Sequence, residues 1–227
     1  MRHDEGLALV IALLAMALLI ALGMALVLGT ATEVMIAAHF RTAQEAFYAA
    51  DAALERAIDE LGSSVSWNSA LQGLERSSFV DGSPSAARTL SDGAPLDLTK
   101  ATNLLNCGHS GSCTSGEMDA STEDRPWGLN NPRWTLYAYG PLSRMSPPGS
   151  SSIDSNMFVV VWVADDQTDN DNDPTMDGED PSNPGSGVIV AHAEAFGPGG
   201  AHQAVEATLA RLREASGVRV IAWRRIN

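Results

Sequence analysis

Apolar and polar positions divide the chain into stretches of different period. From Leu7 to Leu28 it reads LALVIALLAMALLIALGMALVL, a run with no charge, Ser, Asn, Gln or Pro. As a helix rising about 1.5 Å per residue, this run covers roughly 33 Å, enough to cross a bilayer core of about 30 Å. A cleaved secretory signal has a shorter apolar region, about 7–15 residues, behind basic residues. Here the leader MRHDEG carries Asp4 and Glu5, so the run is read as a transmembrane helix. Arg2 is the only Arg or Lys before the span and Arg41 the first after it, which leaves orientation by the positive-inside rule undetermined. A leader of six residues nevertheless puts the folded mass on the C-terminal side.

Residues 34–61 keep a helical period on one face. Ala43, Ala46, Phe47, Ala50, Ala53, Leu54, Ala57, Ile58 and Leu61 recur at spacings of three and four, with Arg41, Gln44, Tyr48, Asp51, Glu55 and Asp59 mainly opposite. That is an amphipathic helix. With no Pro before Pro84, the pattern predicts one helix over about 7–61, roughly 80 Å long. Gly62, Ser63 and Ser64 supply its stop.

Residues 62–132 are rich in Ser, Gly, Asn and Pro and predict loops, short helical turns and one small strand. From Arg133 the period changes. RWTLYAYG, MFVVVWVAD, GVIVAHAEAF, AHQAVEATLARL and VRVIAW are β-branched or aromatic-rich segments separated by turn signals, and they predict five strands. The fourth has helix-forming composition, but the Gly197-Pro198-Gly199-Gly200 turn before it favours a hairpin. Five such strands with short or acidic connections imply an antiparallel sheet, with helix 34–61 covering one side. The expected fold class is α+β: a ladle with a long N-terminal helix (about 7–61) packed on an antiparallel β-sheet head.

The N-terminal residues resemble a known family. A polar leader ending in Gly6, the apolar helix GLALVIALLAMALL and the continuation RTAQEAFYAADAALERAIDEL are similar to type IV pilins, specifically PilX-type minor pilins of the type IV pilin and pseudopilin superfamily. The resemblance is clearest over about residues 5–61 and weaker in the strand-rich part. It implies a pilin-like fold with a leader (1–6), a transmembrane and filament-core helix (7–33) and a periplasmic head (34–227) that includes the amphipathic helix. It also implies cleavage between Gly6 and Leu7 by a prepilin peptidase, followed by methylation of the new N-terminus. The partners it implies are other pilins through the helix, the peptidase, and the inner-membrane assembly machinery. A bare apolar helix can then slide from lipid into a filament core, where like helices replace acyl chains. Major pilins usually carry Phe at the position of Leu7 and Glu at that of Ile11; their absence argues for a low-copy subunit that primes, caps or decorates the pilus. Two other readings remain: the tip pseudopilin of a type II secretion system, or an uncleaved anchor holding a periplasmic binding or scaffold domain.

Charge narrows the partners. The 227 residues hold 14 Lys and Arg against 28 Asp and Glu, a formal charge of −14, which repels phosphate backbones and argues against nucleic acid. Seven Asp and one Glu of this total fall within residues 165–180. Asp169, Asp171 and Asp173 alternate, and Asp177 and Asp180 follow at the ninth and twelfth places counted from Asp169. Oxygen ligands at those offsets suit Ca²⁺, although Pro174 at the sixth place and the flanking strand-like sequence rule out an EF-hand. The residues leave open a Ca²⁺ site or a solvated acidic loop. Cys107 and Cys113 are the only cysteines. With the head outside the cytoplasm they are expected to form a disulfide; a metal site with His109 fits no standard zinc spacing, and an unpaired state is the third possibility.

Catalytic motifs such as G-x-S-x-G or H-E-x-x-H do not occur, and the five histidines are scattered, so no enzyme is expected. His192 and Glu194 share a strand face, which suits a hydrogen-bonded structural histidine. Trp67, Trp127, Trp134, Trp162 and Trp223 suit core or cross-strand packing better than a ligand stripe.

Overall fold

A computed structural model describes residues 4–145, 153–178, 182–212 and 217–226. Helix α1 (Asp4–Ser63) runs without interruption through both apolar patterns, as expected of a segment without Pro. The chain divides into two compact units, residues 1–42 and 43–227.

In the first unit every described side chain from Leu7 to Arg41 is exposed. Its hydroxyls are satisfied within the helix. Thr30 donates to the carbonyls of Leu26 and Val27 at 3.1 and 3.0 Å, Thr32 to Leu28 at 3.0 Å, and Thr42 to Ala38 at 3.0 Å. Such back-bonding removes the donor that an apolar surrounding would penalise.

In the second unit the pattern of α1 changes from exposed to one-sided. Ala46, Ala49, Ala50, Ala53, Leu54, Ala57, Ile58 and Leu61 are buried and join one core with the inner face of a five-stranded sheet. The sheet comprises β3 (Thr135–Pro141), β4 (Phe158–Asp165), β5 (Val188–Phe196), β6 (His202–Arg211) and β7 (Val218–Ile226). They pair antiparallel in sequence order. The inner face carries Val159, Val161 and Val163 of β4, Ile189, Ala191, Ala193 and Ala195 of β5, and Val205, Ala207 and Leu209 of β6. The expected α+β architecture, a long N-terminal helix packed on an antiparallel sheet, is therefore present. The five strands match the five predicted, and Pro198–Gly200 forms the turn before β6.

The other face of β4 is covered as well, which explains its unbroken apolar sequence. Phe158, Val160 and Trp162 pack with Tyr139, Leu96 and Leu98 in a second core. Leu98 opens α3 (Leu98–Cys107), a helix capped by Asp97, whose carboxylate accepts from Lys100 N at 3.1 Å, and ended by Gly108 at φ 76°. Residues 62–132 thus hold more order than the sequence reading allowed. Besides α3 they contain α2 (Asn68–Leu71), α4 (Ser115–Asp119), and a two-stranded ribbon of β1 (Arg88–Thr89) and β2 (Pro95–Leu96). One expected small strand is two, and one of the short turns is a ten-residue helix. Strong caps and a Trp162 Nε1 bond to Thr102 at 2.8 Å compensate for the weak apolar pattern of LTKATNLLNC.

The two sheet edges differ. Residues 77–81 run along β3: Ser77 N donates to Tyr137 O at 3.0 Å, Tyr139 N to Phe79 O at 3.1 Å, and Asp81 N to Tyr139 O at 2.9 Å. Strand β7 is largely exposed and carries Arg219, Arg224 and Arg225, charges that discourage edge-to-edge pairing.

Candidate functional site

Three features bear on function, and the first is the apolar surface of α1. Leu7 is 62% exposed, Ile11 58% and Leu19 68%, and the apolar run shows no buried side. A contiguous apolar surface of this size is unstable in water and calls for lipid or other apolar helices around it. Among the described residues, α1 is the one helix long and apolar enough to cross a membrane. Leu7 lies inside the helix, one residue after Gly6.

The second feature is the acidic loop after β4. Asp165 ends the strand, paired with Ile189 across the ladder, and is 3% exposed. The chain then turns at Asp166, whose carboxylate accepts from Thr168 N at 2.9 Å, and brings Asp169 back to 1% exposure. Oxygens of Asp165, Asp169 and Asp177 lie within 4.8 Å of one another. Asp169 Oδ2 accepts from Gly178 N at 2.9 Å, and its Oδ1 accepts from Asn183 Nδ2 and from Asp171 N. Asp177 Oδ1 accepts from Gly187 N at 2.6 Å. Asp165 Oδ1 is buried with no hydrogen-bond partner.

Electrostatics follow from that crowding. Burial, with Asp169 and Asp177 alongside, pushes the Asp165 carboxyl up to about 9. Burial also raises Asp177, against the Gly187 hydrogen bond and the nearby Arg211. Arg211 does not cap the cluster: its guanidinium donates to Ser64 O at 2.9 Å and lies 4.2 Å over the Trp67 ring. Gly185 is required where the chain closes, because a Cβ there would fall on the backbone nitrogen of Asp169. Of the residues expected at a Ca²⁺ site, Asp169 and Asp177 come together. Asp171 and Asp173 do not join them; Asp171 accepts from Asp173 N at 2.8 Å and Asp173 from Thr175 N at 3.2 Å, each making a local turn. Asp180 lies outside the described residues. Asp165 was missing from the sequence reading, although an acid terminating an apolar strand was the available signal.

The third feature is polar but structural. His192 sits on the outer face of β5, 5.4 Å from the ring of Trp134 and 6.0 Å from that of Trp162. Its Nε2 is 3.1 Å from Glu194 and its Nδ1 3.4 Å from Glu206. Glu194 reaches His202 at 2.9 Å, and Glu206 accepts twice from Arg224, at 2.9 and 2.6 Å. Burial opposes the charged ring, but the bonds to Glu194 and Glu206 outweigh it and raise His192 above its ordinary value. Glu194, likewise buried, is held down to about 2 by His192 and His202. Every member has a partner, which is the arrangement of a structural network. Trp67 and Trp162 are buried as expected, whereas Trp127 and Trp223 are exposed, the latter edge-on against Phe47. Cys107 and Cys113 are joined by a disulfide, their Cα atoms 5.9 Å apart; it links the end of α3 to the Thr114–Glu117 capping box of α4.

The comparisons bear on the helix alone. Residues 5–55 match the family model described as PilX N-terminal. Over those residues the chain is similar to the PilX N-terminal family. The match begins at residue 5 and ends inside the buried part of α1, so it spans both the exposed and the one-sided pattern. It supports a PilX-type pilin, a structural and non-enzymatic family related to the type IV pilus. No curated protein and no solved structure matches the chain.

Proposed function

We propose that this PilX-type chain is a minor pilin-like subunit of a type IV pilus, held in the bacterial inner membrane by α1 with its head in the periplasm. Prepilin peptidase removes residues 1–6, the new N-terminus at Leu7 is methylated, and the helix then packs against those of other pilins. The observation that carries this reading is the exposed apolar face of α1 over residues 7–41 within the PilX N-terminal match. Helix packing supplies most of the association energy, since van der Waals contacts replace lipid around a long apolar rod. Leu7 and Ile11, in place of the Phe and Glu usual in major pilins, fit a low-copy role in priming, capping or decorating the filament. The head then offers surface for assembly, adhesion or aggregation.

Shearing surface filaments from cells that express the tagged full chain tests this reading. The chain is expected in the sheared fraction of cells with a working pilus system, at low copy relative to the main pilin. Confinement to the membrane fraction, whether or not pili are made, would instead favour a static anchor with a periplasmic scaffold domain.

A further inference from the structure

The cluster at the end of β4 joins a strand terminus to the loop that follows it. Asp165 comes from the sheet, Asp169 from the first turn of the loop and Asp177 from its return. Backbone amides fix the last two, from Gly178 and Gly187, and the Asn183 amide adds a further donor to Asp169. Asp165 differs. It is buried, its carboxylate is presented to the other two, and its Oδ1 has no protein donor. A buried, unpaired carboxylate oxygen beside two further carboxylates is costly unless a positive charge meets it. The nearby cation, Arg211, is committed to Ser64, Val65 and the Trp67 ring.

We propose that Asp165, Asp169 and Asp177 bind one Ca²⁺ ion, which ties the end of β4 to the acidic loop. All the protein groups are hard oxygens, the donor type Ca²⁺ takes at about 2.3–2.6 Å. Oxygens on opposite sides of such an ion lie up to about 5 Å apart, and the three carboxylates meet within 4.8 Å. Three carboxylates leave room for water and backbone carbonyls in a shell of six to eight, and irregular loop ligands suit Ca²⁺ better than the strict octahedron of Mg²⁺. The site ties the loop into the head: Asp177 N donates to Asn68 Oδ1 at 2.9 Å, so the ion would also steady the segment that follows α1. This inference stands apart from the pilin reading, because ion binding and head stability are measured without a filament.

The test uses the detergent-solubilised full chain, titrated with CaCl₂ by calorimetry and melted in Ca²⁺ or in EGTA. One ion should bind per chain, and a 100-fold excess over Kd should raise Tm by about 5 °C or more. Asp165→Asn should weaken binding at least about tenfold, yet melt in EGTA at or above the wild-type temperature, since it removes a carboxyl whose charged form burial and two neighbouring carboxylates disfavour. Asp173→Asn, outside the cluster, should keep the full response. If Asp165→Asn does not fold, Asp177→Asn, which keeps the Oδ1 acceptor for the Gly187 amide, should lose the response instead. No binding to the wild type, a response unchanged in the cluster variant that folds, or one lost equally in Asp173→Asn would overturn the site.

Discussion

His192 Nε2 lies 3.1 Å from Glu194 Oε1 on the outer face of β5, with Glu206 closing on its other nitrogen. This makes part of the head's stability pH-dependent. His192 is raised above its ordinary 6.5, so its contribution is complete below pH 6.5 and is lost as pH rises through the raised value. Glu194 is depressed from 4.5 to about 2, so its contribution is complete above pH 4.5 and is lost as pH falls toward 2. The Tm difference between the wild type and His192→Gln should therefore be largest between about pH 4.5 and 6.5 and shrink above it. A difference that grows with rising pH would contradict the network.

The alanine-rich face of α1 sets a tight limit on side-chain volume. Ala50 and Leu54 are fully buried against the sheet. Leu54→Ala should lose about 2–5 kcal/mol through the cavity it leaves. Ala50→Leu should lose about 1–3 kcal/mol through overpacking. Thermal unfolding of the full chain in detergent measures both, with Tyr48→Ala, on the exposed side, as the near-neutral comparison.

Gly185 approaches the backbone of Asp169, where neither partner can turn aside. Gly185→Ala should lower Tm by several degrees and increase hydrogen exchange across residues 166–178, while the sheet amides of β5 stay protected. An unchanged Tm would show that the loop relaxes freely.

The disulfide closes a small loop, so its removal should cost at most about 2–3 kcal/mol. Cys107→Ser with Cys113→Ser should lower Tm by a few degrees and loosen residues 107–119 selectively. Collapse of the whole head would show that the bridge matters well beyond that loop.

Much of the fold was legible because its periods are clean. The one-sided run from Ala43 to Leu61 and the alternation of VIVAHAEAF each admit one reading, and both are present. Strand β6 shows tertiary context overriding propensity: Ala, Glu, Leu and Arg favour helix, yet pairing to β5 on one side and β7 on the other holds residues 202–211 extended. Helix α3 was hidden by its polar composition, since caps and the bonds of Thr102 and Asn106 support its order alongside the few apolar side chains, Leu98, Ala101 and Leu105, that it packs on the second core. Asn106 donates to Trp134 O at 3.0 Å and accepts from Trp134 N at 2.8 Å, a contact across 28 positions that no local pattern announces. At the acidic loop, reading the spacing from Asp169 forward found two of the clustered residues. Asp165 escaped because it belongs to the strand, and a site that straddles strand and loop has no fixed offset.

The central claim is that α1 is a processed pilin helix, and the intact mass and N-terminal sequence of the membrane-extracted chain test it most directly. Expressed with prepilin peptidase, the chain should begin at methylated Leu7; without the enzyme it should begin at Met1. A chain beginning at Met1 in both samples would contradict pilin processing and leave α1 as a permanent anchor.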